Sequence, residues 1–149
     1  MSVQDYPNDL FALLAEKMTF RGGAIRVVRR IAKSKFWRRT QEEQKALLRA
    51  LNASLAVIHN VQWPQLVFGL NEQEPDSSRI CFVPAPNTII LRGKYRLSII
   101  SFLHEWGHRL YGASEFTACK FSLQLFRRCF PRSFARLRFE GHRARKARP

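Results

Sequence analysis

Apolar positions spaced three and four apart recur in blocks along this chain, and each block predicts a helix. The first holds Leu10, Phe11, Leu13, Leu14 and Met18, with Asn8 or Asp9 as its cap. It is expected to run through Phe20, where Gly22 and Gly23 stop it. A second begins around Ala24, with Ile25, Val28, Ile31, Ala32 and Phe36 on one side and Arg26, Arg29, Arg30, Lys33 and Lys35 on the rest. Thr40 and Glu43 have the spacing of a capping box and open a third, whose stripe Leu47, Leu48, Leu51, Leu55 and Ile58 ends near Asn60. The pattern then shortens. Gln65 to Leu70, Arg79 to Val83 and Thr88 to Leu91 are rich in strand formers and separated by polar turns, which predicts three short strands, mostly antiparallel.

From Tyr95 the segment RLSIISFL is apolar almost all round, so as a helix it must be buried on most faces. Gly112 sits where a helix-ending glycine belongs, and Ser114 can cap a last long helix from Glu115 to Phe130. Its stripe Phe116, Cys119, Leu123, Phe126 and Phe130 reads as core, and Pro131 closes it. The element order predicts an α+β protein: N-terminal helices, a sheet of about three strands, then two helices. One domain over residues 1–131 is expected, followed by a basic tail, 132–149. The tail has room for a short helix in SFARLRF, but its end, GHRARKARP, offers no apolar pattern to bury and is expected to be loose.

Charge changes this picture at two places. Of the formal +15, eight Lys or Arg fall in residues 21–39 with no acid, and nine fall in residues 127–149 against Glu140 alone. One-sided clusters of this kind favour a polyanion, and nucleic acid is the candidate partner. Trp37, beside Arg38 and Arg39, has the chemistry to stack on a base, although burial is the commoner fate of a tryptophan. Cys81, Cys119 and Cys129 are odd in number and form no CxxC pair, which argues for a reducing compartment. The start, MSVQDYPNDL, lacks the basic-then-apolar order of a secretory signal, and no apolar run is long enough to span a membrane. A cytoplasmic protein without membrane contact is expected.

The candidate chemistry lies in His104, Glu105, Trp106, Gly107 and His108, an HExxH motif. Residues four apart share a helix face, so His104 and His108 can direct imidazole nitrogens at one ion, a zinc ion (Zn2+). Glu105, rotated by about 100° from His104, is placed as a general base rather than a ligand. Catalytic zinc takes three protein ligands, and the donors downstream are Glu115, Cys119, Cys129, Glu140 and His142. Glu115 is best placed, because Gly112 lets the chain reverse at once and puts Glu115 in the first turn of a helix running back along the motif helix. An acid there is also favourable without any metal. Cys119 reads rather as a small buried residue. Gly107 weakens its helix by about 1 kcal/mol relative to alanine, which implies a close backbone neighbour.

HEWGH, the turn RLYGAS, Glu115 in EFTACKFSLQLF and the closing FP resemble the ImmA/IrrE-type zinc metallopeptidase domain over about residues 88–131. The resemblance implies a small zincin-like (gluzincin) fold, with zinc held by His104, His108 and Glu115 and catalysis by Glu105. The connection from the second histidine to the glutamate is shorter here than in that family, and the N-terminal helices have no counterpart in it.

The expected function is therefore zinc-dependent hydrolysis of a peptide bond in a cytoplasmic protein substrate, suited to a regulatory cut. Strand Thr88 to Leu91 would lie at the cleft edge or simply in the core sheet, and Tyr111 is a weak oxyanion candidate that reads better as a helix-end aromatic. The alternative is a nucleic-acid-associated protein with a structural or vestigial zinc site. A SprT-like protease acting at DNA belongs to that alternative, with His142 as its third ligand.

Overall fold

The computed structural model describes residues 12–69, 81–85, 87–92, 97–140 and 143–146. Residues 12–15 are helical, and this first helix stops well short of Phe20. The cause is distant in sequence. The buried amide of Gln124 donates to the carbonyls of Leu13 and Glu16 and accepts from the Met18 N–H, so backbone groups that a longer helix would pair internally are satisfied from outside. The proposed caps Asn8 and Asp9 lie outside the described residues.

Helix α1 (Ala24–Lys33) follows Gly23, whose φ of 100° is a conformation suited to glycine. It buries Ala24, Val28 and Ile31, and Phe36 in the next turn (Phe36–Arg38) is fully buried. Helix α2 (Gln41–His59) opens on the reciprocal Thr40–Glu43 capping box and ends at Asn60, which has a positive φ. Leu48, Leu51 and Leu55 form its inward stripe.

Strands β1 (Gln65–Gly69), β2 (Cys81–Val83) and β3 (Thr88–Arg92) form one sheet in the order β1-β3-β2. β2 pairs antiparallel with β3, Phe82 opposite Ile89, whereas the longer β1–β3 pairing is parallel, Gln65 opposite Thr88. The mostly antiparallel expectation is corrected on this point. Asn87 supplies the reason. Its carbonyl accepts from the Gln65 N–H, and its side-chain amide donates to the carbonyls of Gln62 and Trp63, so β1 and β3 start at the same end of the sheet. β3 is thus the central strand and not a cleft edge.

Helix α3 (Ile99–Tyr111) carries the motif. Ser98 caps it by accepting from the Ser101 N–H, and Gly112, at φ 88°, ends it. Ser114 then caps α4 (Glu115–Cys129), and α3 and α4 make the most extensive helix contact of the fold. The core contains Phe102, Leu103, Trp106, Phe121 and Leu125, while Phe116, expected in the core, is 47% exposed. Leu123, Phe126 and Phe130 of the expected stripe are buried, and the buried face of α4 also takes in Ala118, Phe121 and Leu125.

Pro131 ends α4 and also opens a five-residue helix, α5 (Pro131–Ala135). Where polarity alone suggests a loose end, β4 (Leu137–Glu140) and β5 (Arg143–Lys146) pair as an antiparallel hairpin, with Leu137 packed on the core. Helices and a small three-stranded sheet make the protein α+β. Among the described residues no helix is long and apolar enough to cross a membrane.

Trp106 is fully buried, and its indole N–H donates to Asn52, whose amide donates to the Pro64 carbonyl; α3 is thereby tied to α2 and to the start of β1. The His59 ring lies 6.3 Å from that of Trp106. Burial lowers the pKa of His59 below its ordinary 6.5; its hydrogen bond to the Leu55 carbonyl opposes this and the charge of Arg21 adds to it. The folded state therefore holds His59 neutral, and the unfolded chain takes the proton first. The stabilising contribution is present above pH 6.5 and is lost as pH falls through the lower folded value. The expected result is a melting temperature that declines on acidification from pH 6.5 in wild type and declines less in His59→Gln, measured by circular dichroism.

Candidate metal centre

One turn of α3 and the first turn of α4 build the site. His104 and His108 lie on one face of α3, and their Nε2 atoms are 3.2 Å apart. Glu115 reaches both from the start of α4, with Oε1 2.7 Å from His108 Nε2 and Oε2 3.2 Å from His104 Nε2. Three donor groups on two helices therefore converge on one point. The short Gly112–Ser114 connection makes this geometry available, and the capped first turn of α4 holds Glu115 in position.

The donor types suit zinc. Bonds of about 2.0–2.2 Å at tetrahedral angles put ligand atoms about 3.3 Å apart; the His104–His108 and His104–Glu115 separations are 3.2 Å, while the 2.7 Å His108–Glu115 contact is a hydrogen-bond distance that would lengthen around an ion. Two imidazoles and a carboxylate are also the ligand types of a site that keeps one position open. Both rings are oriented from behind. His108 Nδ1 lies 2.8 Å from the Gly112 carbonyl, which as an acceptor places the proton on Nδ1 and leaves Nε2 as the donor to a metal. His104 Nδ1 lies 3.6 Å from Cys119 Sγ.

Cys119, one of the downstream donors but expected as a small buried residue, is half-buried, and its sulfur stands close enough to His104 and Glu115 to belong to the cluster. Its position one turn after Glu115 was a usable signal, since residues 115 and 119 share a helix face. As the neighbour of Nδ1, it orients the His104 ring. Cys119→Ala should lower zinc affinity by about tenfold, measured by competition with a chelator.

Glu105 is rotated from His104 about the axis of α3, yet one of its carboxylate oxygens lies within 4.8 Å of ring nitrogens of His104 and His108. It is 6% exposed and faces β2, whose Phe82 N–H donates to its carboxylate. Burial pushes its carboxyl up to about 7; the His108 charge and the Phe82 N–H oppose this, and the Glu115 charge adds to it. Among the described residues, its buried Oε2 has no hydrogen-bond partner. A buried carboxylate oxygen without a hydrogen-bond partner beside a triad of donors has the capacity to take a proton from a molecule bound there.

Gly107 lies where α3 and α4 cross. A Cβ on it would meet the Ala118 Cα at 2.8 Å and the Ala118 carbonyl oxygen at 3.1 Å. The close backbone inferred from this glycine is that of Ala118, and it is the approach that brings Glu115 to the histidines. Of the other downstream donors, Cys129 is buried at the far end of α4, and His142 lies outside the described residues. Tyr111 is half-exposed, its ring 5.8 Å from that of Phe121. Compared with known proteins, the chain matches no family model, no curated protein and no solved structure.

Proposed function

We propose that this chain is a zinc-dependent peptidase of the gluzincin type, hydrolysing a peptide bond in a cytoplasmic protein. The observation that carries the reading is the convergence of His104, His108 and Glu115 within 3.2 Å of one another, with the Glu105 carboxylate buried beside them. The resemblance of residues 88–131 to the ImmA/IrrE-type domain supports it from the motif side, and the zincin-like fold is part of the same proposal.

His104, His108 and Glu115 would hold zinc, which when bound would supply a Lewis acid to polarise the scissile carbonyl and activate water. The residues of the chain do the rest. Glu105, with its carboxylate anchored by the Phe82 N–H and Oε2 open, accepts a proton from the attacking water and passes it to the departing amine nitrogen. The C–O bond forms, the C–N bond breaks, and the proton ends on nitrogen. Burial raises the proton affinity of Glu105, which suits a group that must take a proton and then release it. The Phe82 N–H belongs to β2, an edge strand of the sheet.

Metal analysis of wild type and Glu115→Ala tests the reading. Stoichiometric zinc in the wild type and its loss in the variant are expected; a wild-type protein without stoichiometric zinc sinks the proposal.

A further inference from the structure

The two basic clusters are far apart in sequence, yet the fold joins them. α1 lies against the C-terminal half of α4, where the Cys129 thiol donates to the Ile25 carbonyl. The Trp37 ring, in the turn after α1, packs edge-on against Phe130 at the end of α4, with centroids 5.4 Å apart. Arg29 of α1 and Arg128 of α4 both bring their charge to bear on the Cys129 thiol. Arg26, Arg29, Arg30 and Lys33 are exposed on one side of this seam, and Arg128 and Arg132 on the other. Among the described residues none of these six is paired with an acid. Trp37, in the middle, is 40% exposed rather than buried. The surface is well separated from the candidate metal centre: along α4, Arg128 lies about 20 Å from Glu115.

We infer that this face, formed by α1, the Phe36–Arg38 turn, the end of α4 and α5, binds single-stranded nucleic acid. Its cations track the phosphates and Trp37 stacks on a base. Three observations favour this occupant. The cations are nearly all arginine, whose planar fork matches phosphate. An aromatic ring that is 40% exposed, although it packs on Phe36 and Phe130, stands at this seam, as a base requires and an acidic peptide does not. The apolar stripe of α1, Ala24, Val28 and Ile31, is used up in the core, so no apolar face remains to enter a lipid interface. The inference is independent of the peptidase reading.

The test is fluorescence titration of the full chain carrying Trp63→Phe, so that among exposed tryptophans the signal comes from Trp37. The titrants are an oligothymidylate, heparin as a polyanion without bases, and vesicles of anionic phospholipid. Quenching by the oligothymidylate but not by heparin is expected, with affinity falling steeply as salt rises. Arg29→Glu together with Arg128→Glu should flatten the salt dependence and weaken binding at least about tenfold. Trp37→Phe, which keeps a ring against Phe130, should weaken the oligothymidylate several-fold and leave heparin unchanged. Equal quenching and equal losses for oligothymidylate and heparin would overturn the proposal in favour of a plain polyanion surface. Tighter binding to vesicles than to the oligothymidylate, or no binding at low salt, would overturn it outright.

Discussion

Glu105→Gln is expected to abolish most hydrolysis, by about 10²–10⁴-fold in kcat, while zinc content stays at the wild-type level. The substitution keeps the size of the side chain and leaves an oxygen to accept the Phe82 N–H, so the packing of α3 against β2 survives. What it removes is the ability of the second oxygen to take a proton. Glu115 lies 2.7 and 3.2 Å from the two histidines whereas Glu105 is buried against β2, so zinc retention separates the role of Glu105 from that of Glu115. The paired measurement is metal content by atomic absorption and turnover of a protein substrate. Loss of zinc together with activity would make Glu105 a ligand rather than a base. Unchanged turnover would remove it from the chemistry.

The second large effect is expected at Gly107. Alanine in an exposed helix would gain about 1 kcal/mol over glycine. Here the added Cβ would stand 2.8 Å from the Ala118 Cα, and backbone cannot move aside as the end of a side chain can. The two helices must separate, at an overpacking cost of about 1–3 kcal/mol that outweighs the gain in propensity. Because Glu115 is held three residues before Ala118, separation also draws the carboxylate away from the histidines. Gly107→Ala is expected to lower both the urea midpoint and zinc affinity, read by denaturation with and without metal. A variant more stable than wild type would show that the helices part freely and that the glycine serves some other end.

Much of the site was legible because it is local. HExxH places two histidines on one face by helix period alone, and the Gly112–Ser114 connection is so short that Glu115 has few places to go. The capping box at Thr40 and the stop at Asn60 were legible for the same reason, since caps are settled by residues within one turn. The His104–Cys119 contact was less so. It needs the angle at which α3 and α4 cross, and that angle is set by how Gly107 sits on Ala118.

The early end of the first helix, the parallel β1–β3 pair and the exposure of Phe116 escaped the pattern for a common reason. Each depends on a partner distant in sequence: Gln124 on residues 13–18, Asn87 on residues 62–65, and the rotation of α4 about its axis. Periodicity reports that a face is apolar but not which neighbour covers it. Trp37 shows the same limit, since burial is the usual state of a tryptophan, whereas here the residue packs on Phe130 and stays 40% exposed.

The chain by itself determined α1 to α4, the segments of β1 to β3 and the HExxH donors, because these follow from spacing and from residues within a turn of one another. Tertiary structure alone decided that Cys119 stands behind His104 and that Phe82 anchors Glu105. It also decided that residues 21–39 and 127–136 make one basic face. Contacts of that kind form only when separate elements dock, and docking is governed by the packing of whole faces rather than by any one stretch of sequence.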